Sequence, residues 1–422
     1  MKVQVLATGQ AHSGVVPGFG VPATPDAPPA TYDGWRPAFV LGADSPGGLA
    51  LPPAAPTAAW MYGPRAVWTD GTVVVAADTG NHRVLVWHTL PDRDGAPADV
   101  VLGQPDEQTE GPAAAGAGPA NGMHMPTGVL VRDGRLVVAD AWHHRVLVWD
   151  IVPTRTATPP DHVLGQPDLG SVEPNAGGDA SAGTFYWPFG IAVVDGRFHV
   201  ADTGNRRVLV WRDGVPEPGQ PADVVLGQPT AHDREENRGG PVGPASFRWP
   251  HAVAGTGTGG LLVADAGNHR VLRWDDHPDA DRPADAALGQ PDLETGTEFP
   301  YVSQAGRMRF PYGLATVTGG GHPSSGTAVA DTANNRVLVY DGTGATGDDL
   351  PRAVLGQPTH AANGENRWER VAADTFCWPY GLHWHRPAAD ASTGDSAGDS
   401  AGRELLAVAD SGNNRVVVWE RS

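Results

Sequence analysis

One segment returns six times along the chain, and this repetition restricts the possible folds more than any other feature. The segment approximates V-A-D-x-x-N-x-R-V-x-x-W, and its aspartates recur at intervals of 62 to 79 residues. A W-P-x-G motif or a degenerate form of it precedes each copy, and V-L-G-Q-P-D or a close variant follows each of the first five. Self-similarity at such a period is the signature of a repeat architecture.

Each repeat unit predicts four β-strands. The Gly-Asn pair in V-A-D-T-G-N-H-R-V-L-V-W tolerates a positive φ and can close a hairpin between two β-rich runs. The run R-V-L-V-W is apolar at consecutive positions, which indicates a strand buried on both faces. Six such units predict an all-β fold, a six-bladed β-propeller of four-stranded antiparallel blades. An open solenoid is the alternative that repetition alone allows.

The chain ends favour a closed ring. The last unit stops at V-V-V-W-E-R-S without its V-L-G-Q-P-D strand, whereas a lone copy, P-A-F-V-L-G-A-D-S, stands at residues 37–45. We therefore expect a strand from the N-terminal region to complete the last blade. This divides the chain into an N-terminal extension, residues 1–36, and a single propeller domain, residues 37–422.

Charge and cysteine content restrict the partners and the compartment. The chain has 29 basic and 48 acidic residues, a net charge of −19, which repels phosphate and predicts neither a nucleic-acid nor a membrane partner. Its single cysteine, Cys377, rules out an internal disulfide framework and a cysteine-based metal site. With neither a signal-peptide pattern nor a long apolar run, we expect a cytoplasmic protein. The sequence indicates neither a cofactor nor an oligomeric state.

Two sets of recurring residues are predicted to be structural. An aspartate and an arginine flank the tight loop of each unit, where they face each other and can tie the blades together by charge-assisted bonds. An aromatic residue ends the third strand of each unit and is expected to pack between blades. The first set is Asp78, Arg83, Asp140, Arg145, Asp202, Arg207, Asp265, Arg270, Asp331, Arg336, Asp410 and Arg415; the second is Trp87, Trp149, Trp211, Trp274, Tyr340 and Trp419.

These motifs resemble the NHL repeat, in the bacterial variety that carries V-L-G-Q-P-D after each unit. The resemblance covers residues 37–419 and implies a six-bladed propeller. Relatives of this fold include protein- and RNA-binding modules, sensor domains and enzymes, so the fold itself does not specify an activity.

One enzyme family in this group, peptidyl-α-hydroxyglycine α-amidating lyase, implies a zinc site. In that family, histidines directly after the blade-entry proline bind zinc at the channel mouth, and an aspartate after one of them holds calcium. His251 is the one match to the zinc positions; the other five are Arg65, Thr127, Phe189, Tyr312 and Tyr380. The calcium positions carry Ala66, Gly128, Gly190, Ala252, Gly313 and Gly381.

The blade-entry segments and the tight loops open on the same face of a propeller and predict a ligand site at one mouth of the channel. Aromatic walls with few polar groups suit a small molecule or a peptide. Arg65 is the candidate anchor for a carboxylate, and His251 the candidate acid or base. The alternative is that the aromatic side chains plug the channel. The predicted ligand-binding residues are Arg65, Thr127, Trp187, Phe189, Trp249, Phe310 and Trp378, with His251, Tyr312 and Tyr380 as catalytic candidates.

The histidines allow a metal hypothesis. The set near the blade entries is His251, His124 and His383, which we take as candidate metal ligands. His82, His144 and His269 occupy the variable position of N-x-R, and we expect them to be solvated loop residues.

Two functions from different classes remain open. A recognition module would bind a peptide or small metabolite at the aromatic mouth without turnover. A lyase or hydrolase, with or without the help of a metal ion, would use His251 as base, Tyr312 or Tyr380 as proton donor and Arg65 to hold a small anionic or peptide substrate. Each blade offers a different side chain at the mouth, and such asymmetry fits one non-symmetric ligand.

Overall fold

A computed structural model describes residues 32–42, 55–298, 305–317, 325–387 and 403–421. The described residues form six four-stranded antiparallel sheets, each of which is one blade of a propeller. The predicted fold class is confirmed. The N-terminal residues up to 31, and residues 43–45 of the lone V-L-G copy, lie outside the described residues.

The blades follow one another along the chain, and the first strand of each faces the channel. Blade 1 is β2 (Ala66–Thr69), β3 (Val74–Asp78), β4 (Arg83–Trp87) and β5 (Val100–Leu102); blade 2 is β6 (Pro126–Arg132), β7 (Arg135–Asp140), β8 (Arg145–Trp149) and β9 (His162–Leu164); blade 3 is β10 (Pro188–Val194), β11 (Arg197–Asp202), β12 (Arg207–Trp211) and β13 (Val224–Leu226). Blade 4 is β14 (Pro250–Gly255), β15 (Leu261–Asp265), β16 (Arg270–Trp274) and β17 (Ala286–Leu288); blade 5 is β18 (Pro311–Val317), β19 (Gly326–Asp331), β20 (Arg336–Asp341) and β21 (Ala353–Leu355).

Blade 6 joins the two ends of the chain, as the sequence predicts. It contains β22 (Pro379–His385), β23 (Glu404–Asp410), β24 (Arg415–Arg421) and the N-terminal strand β1 (Trp35–Gly42). β1 pairs antiparallel with β24, with Val40 opposite Val417, and a register shift falls between Pro37 and Phe39. Hydrogen bonds between the first and last described strands therefore close the ring.

The hydrophobic core is divided among the six interfaces between neighbouring blades. Each of six buried clusters combines side chains from two adjacent blades, including the cluster between blades 6 and 1. Trp149 of blade 2, for example, packs among Val75, Val84 and Val100 of blade 1. The R-V-L-V-W strands are buried at every position because both faces meet another blade.

Short helical turns connect the strands. A 3₁₀ turn joins the second and third strands of every blade, and its last residue precedes one with a left-handed backbone; these turns are Thr79–Asn81, Ala141–His143, Thr203–Asn205, Ala266–Asn268, Thr332–Asn334 and Ser411–Asn413. The connectors between blades carry short turns at Pro112–Gly116, Pro119–Asn121, Pro174–Gly177, Glu236–Gly239 and Glu365–Trp368.

The aspartate and arginine of each tight loop form a fully buried ion pair. In blade 3, Arg207 Nε donates to Asp202 Oδ2 at 2.7 Å, and neither side chain is exposed. The other end of the Arg207 guanidinium donates to the carbonyls of Ser181, Thr184 and Ala231, which belong to the connectors that enter and leave the blade. The arginines of blades 1 to 5 fix both connectors in this way, whereas Arg415 of blade 6 donates to the carbonyls of Ala372 and Thr375 in the incoming connector.

Candidate functional site

The six residues that directly follow the blade-entry prolines meet in the central channel. They line one cavity of about 240 Å³ together with residues farther along the innermost strands. Trp68 and Trp384 also belong to this lining. The six residues are Arg65, Thr127, Phe189, His251, Tyr312 and Tyr380.

Five of these side chains form a continuous ring of planar groups. The ring centroids of Phe189 and His251 are 4.7 Å apart, those of His251 and Tyr312 4.3 Å, and those of Tyr312 and Tyr380 4.8 Å. The guanidinium carbon of Arg65 lies 4.9 Å from the Tyr380 centroid and 5.9 Å from that of Phe189. Arg65 therefore spans the gap beside the small Thr127 and completes the ring by cation–π contacts.

The glycine of W-P-x-G explains why the inner strands approach so closely. A Cβ on Gly190 would lie 2.1 Å from the carbonyl oxygen of His251 in the next blade, and one on Gly313 would lie 2.0 Å from that of Tyr380. No side chain fits at these two positions, so the motif sets the width of the channel.

Arg65 is the one permanently charged side chain in the described cavity lining, which contains no aspartate or glutamate. The lining consists otherwise of aromatic, histidine, threonine and small apolar residues. In a chain of net charge −19, the described part of the channel is thus locally positive. This charge favours an anion over a cation in the cavity.

His251 is held as a neutral imidazole. Its Nδ1 lies 2.9 Å from the carbonyl oxygen of Trp249, so Nδ1 carries the proton and Nε2 is left as an acceptor. Burial, with a smaller contribution from the nearby charge of Arg65, lowers the pKa of His251 to about 4. Burial also raises the pKa values of Tyr312 and Tyr380, which keeps both phenols protonated.

Thr127 lines the cavity and also makes a contact with the next blade. Its hydroxyl lies 3.1 Å from the carbonyl oxygen of Phe189 and 3.3 Å from that of Pro188, both in the next blade. A hydroxyl has one proton to donate, and these carbonyls take it. Thr127 therefore links blades 2 and 3, while its small size leaves room for Arg65.

The aromatic residues before the prolines do not line the cavity; they lie around it. Trp187 stacks on Trp142 at 5.1 Å, and Trp249 stacks on Phe310 at 6.1 Å. Trp378 is 51% exposed. The predicted mouth set is thus split into an inner ring, which forms the cavity, and an outer rim.

Trp142 is a rim residue that the sequence reasoning missed. Besides stacking on Trp187, it makes an edge contact with Phe189 of the inner ring at 6.1 Å. The available signal is a break in the repeat, because the other five loops carry glycine or alanine at this position: Gly80, Gly204, Gly267, Ala333 and Gly412.

The prediction of solvated histidines in the tight loops is wrong for His144 and His269, whereas His82 is partly exposed. His144 and His269 are only 7% and 3% exposed. In all three loops the imidazole Nδ1 accepts a hydrogen bond from a backbone N–H of the next blade. This bond holds the donating residue in the left-handed region of backbone conformation. The bonds are Met125 N to His82 (3.1 Å), Trp187 N to His144 (3.2 Å) and Phe310 N to His269 (3.2 Å).

The other blades show that this contact depends on an acceptor. Asn335 and Asn414 take the place of histidine and accept from Trp378 N and Gly63 N, both at 2.9 Å. Arg206, which has no acceptor, occupies the position in blade 3, and the corresponding Trp249 is not left-handed. The loop residue thus sets the backbone of the next blade entry.

The three histidines predicted as metal ligands have separate environments. His251 belongs to the channel ring. The ring centroid of His124 lies 5.1 Å from that of His82 and 5.4 Å from that of His143. His383 stacks on Trp68 at 5.5 Å and also lines the channel. Across the described ranges, no three histidine, cysteine, aspartate or glutamate side chains are arranged to hold a metal ion. The structure does not assemble this predicted metal set.

The described helices include none that is both long and apolar enough to cross a membrane.

Comparison with known proteins identifies the repeat. The NHL repeat family model matches residues 123–149, which contain the first three strands of blade 2. Together with the six-fold recurrence of this segment and the six blades, the match supports an NHL-repeat β-propeller. No curated protein matches the chain. The similarity to amidating lyases stays a prediction.

Solved structures give only distant similarities. Hydrazine synthase from Kuenenia stuttgartiensis is 13% identical, with 90% of this chain and 99% of that chain covered and a TM-score of 0.42. A putative 6-phosphogluconolactonase from Bacteroides uniformis is 15% identical, with coverages of 68% and 72% and a TM-score of 0.38. A protein of unknown function from Bacteroides thetaiotaomicron is 12% identical, with coverages of 92% and 76% and a TM-score of 0.43. Similarities at this level carry no argument about activity.

Proposed function

We propose that this propeller is a recognition module that binds a small organic carboxylate, free or at the end of a peptide, in its central channel. The observation that carries the proposal is the position of Arg65, a guanidinium among aromatic rings in a described lining without a carboxylate. An arginine in such a setting can donate two parallel hydrogen bonds to a carboxylate.

The other ring members fit the same ligand. Tyr312 and Tyr380 remain protonated and can donate hydrogen bonds to a carboxylate, while neutral His251 contributes a planar wall. The cavity of about 240 Å³ lies below the roughly 300–1,000 Å³ typical of drug-sized ligands, so the ligand part inside the channel must be small. A flat apolar body next to the carboxylate would match the aromatic walls.

Paired ligands that differ only in charge test this proposal. Benzoate should bind and benzamide should not, because benzamide has no charge for Arg65. Arg65→Met should weaken benzoate binding about 10- to 100-fold, the effect of losing a hydrogen bond to a charged group. Arg132→Met removes an exposed arginine from the same chain and serves as the control. Equal benzoate affinity in wild type and Arg65→Met, measured by calorimetry, would refute the proposal.

A second set of ligands tests whether the channel binds a free metabolite or the C-terminal carboxylate of a peptide. N-acetylphenylalanine and its amide present the same side chain with and without the carboxylate. If peptides are the ligands, a short peptide with a free C-terminus should bind more tightly than benzoate. If small molecules are the ligands, lengthening the chain should weaken binding, because the cavity cannot hold it.

The alternative, that the ring only fills the channel, is tested by comparing the melting temperature with benzoate binding in a variant. Tyr380→Ala should weaken benzoate binding while lowering the melting temperature only slightly, because Tyr380 is part of a ligand surface in this proposal. A large loss of stability without an effect on binding would identify the ring as a plug.

The lyase or hydrolase alternative has less support. A general base works best with a pKa near the operating pH, and the pKa of His251 is lowered to about 4. The metal-assisted form also lacks a group of three suitable ligands within the part of the chain that the structure describes. Turnover of a bound carboxylate that disappears in His251→Asn, with binding retained, would establish this alternative.

A further inference from the structure

Blade 2 contains a second cavity, of about 320 Å³, whose lining shares no residue with the channel. It lies where the connector from blade 1 passes over the third strand of blade 2. Its walls include Leu147 and Trp149 of that strand, Met123 of the connector, and Pro119, Pro159 and Pro160.

A substitution within the repeat creates part of this space. In blades 3, 4 and 6 a phenylalanine precedes the blade entry and contacts the tryptophan that ends the third strand. The centroid distances are 6.2 Å for Phe185–Trp211, 6.2 Å for Phe247–Trp274 and 5.8 Å for Phe376–Trp419. Blades 1, 2 and 5 carry methionine at this position, as Met61, Met123 and Met308, so in blade 2 a narrow thioether chain lies beside Trp149 in place of an aromatic ring.

A missing hydrogen bond leaves the cavity open. In three other blades, the backbone two residues before the last strand donates to a carbonyl of the incoming connector, which closes the connector over the blade. These bonds are Ala98 N to Ala58 (2.9 Å), Ala222 N to Ala182 (2.8 Å) and Ala284 N to Pro244 (2.8 Å). Blades 2 and 5 have proline at this position, Pro160 and Pro351, and proline has no N–H to donate.

The polar groups at this cavity already have partners. Trp149 Nε1 donates to the carbonyl of Thr158 at 3.1 Å, and Arg145 donates to Asp140 and to the carbonyls of Pro119, Gly122 and Leu169. The connector side adds Asn121, whose amide donates to the carbonyl of Ala117 at 3.2 Å, and otherwise apolar chains such as Ala114 and Ala117. A cavity with apolar walls and satisfied polar groups holds water poorly and accepts apolar molecules.

We infer that blade 2 carries a second ligand site, independent of the channel, that takes a small uncharged apolar molecule of about the size of benzene or indole. Met123, Leu147 and Trp149 supply the contact surface, and burial of the ligand against them supplies the free energy of binding.

Two variants restore what other blades have at this place. Met123→Phe introduces the aromatic ring found in blades 3, 4 and 6, and Pro160→Ala restores the N–H found in blades 1, 3 and 4. Both fill or close the cavity, so both should weaken benzene binding by at least about tenfold in calorimetry. Because each copies another blade of this chain, both should fold, and either one tests the inference if the other does not.

The site of binding is read from the methionine methyl groups. In protein with ¹³C-labelled methionine methyls, benzene should shift the Met123 resonance and leave that of Met61 unchanged. Arg65→Met, in the channel, should bind benzene like the wild type. Unchanged benzene affinity in the foldable variants, no shift at Met123, or loss of benzene binding in Arg65→Met would each overturn the inference.

Discussion

The buried loop histidines predict a sensitivity to acid that asparagine should remove. His144 and His269 each accept a hydrogen bond from the next blade through Nδ1, which requires a neutral ring. Burial lowers the pKa of each to about 4, against an ordinary value near 6.5. Asn335 and Asn414 make the same contact without titrating. The variant His144→Asn/His269→Asn therefore keeps both bonds and removes both titrations.

The direction and size of the pH effect on the free energy of unfolding follow from these pKa values. The unfolded chain binds a proton at each histidine below pH 6.5 and the folded chain only below about pH 4, so stability present above pH 6.5 is lost as the pH falls through this interval. Between pH 8 and pH 5 the loss is about 2 kcal/mol for each histidine. Both side chains are buried, so solvent screens this effect little. The double variant should therefore lose about 4 kcal/mol less than the wild type over this range.

Urea unfolding at pH 8 and pH 5 measures this difference directly. The wild type and the double variant should have similar free energies of unfolding at pH 8, because the acceptor is retained. At pH 5 the variant should be clearly more stable. His232→Asn, which replaces an exposed histidine, should follow the wild type at both pH values. The same pH dependence in the wild type and the double variant would refute the role given to His144 and His269.

Two further predictions concern the architecture. Asp202→Asn leaves the Arg207 charge buried without its partner and should lower the free energy of unfolding in urea by about 3–5 kcal/mol. Asp133→Asn, at an exposed pair, should lower it by less than about 1 kcal/mol. Equal losses in the two variants would contradict the structural role of the buried pair. Gly190→Ala places a Cβ 2.1 Å from the carbonyl oxygen of His251 and should lower the melting temperature strongly. Gly243→Ala is the control, because its Cβ would meet no atom within 4 Å. An unchanged melting temperature in Gly190→Ala would contradict the close approach of the inner strands.

The sequence predicts the ring of blades and its closure because both depend on patterns that repeat. An apolar R-V-L-V-W strand needs cover on both faces, and an unpaired V-L-G strand at Pro37 needs the partner that the last unit lacks. Those requirements are local and can be read from the residues. The inner ring is predictable to the same extent, since Arg65, His251 and Tyr380 occupy one repeated position and the fold brings equivalent positions together.

The remaining features depend on contacts between different blades, which the repeat alone does not reveal. The contact of His144 is a backbone N–H in the next blade, 43 residues away in the sequence, so its burial is not visible in its own loop. The left-handed backbone of Trp187 is held by that same contact, so it too is invisible within its own segment. Trp142 differs from the other five loops, and this departure is the signal that finds it.

A crystal structure with bound benzoate would test the recognition proposal most directly. The account predicts the carboxylate of benzoate within hydrogen-bonding distance of the Arg65 guanidinium, with its ring against the aromatic members of the channel ring. Benzoate bound instead at the outer rim beside Trp378, or a channel that stays closed to it at saturation, would contradict the account.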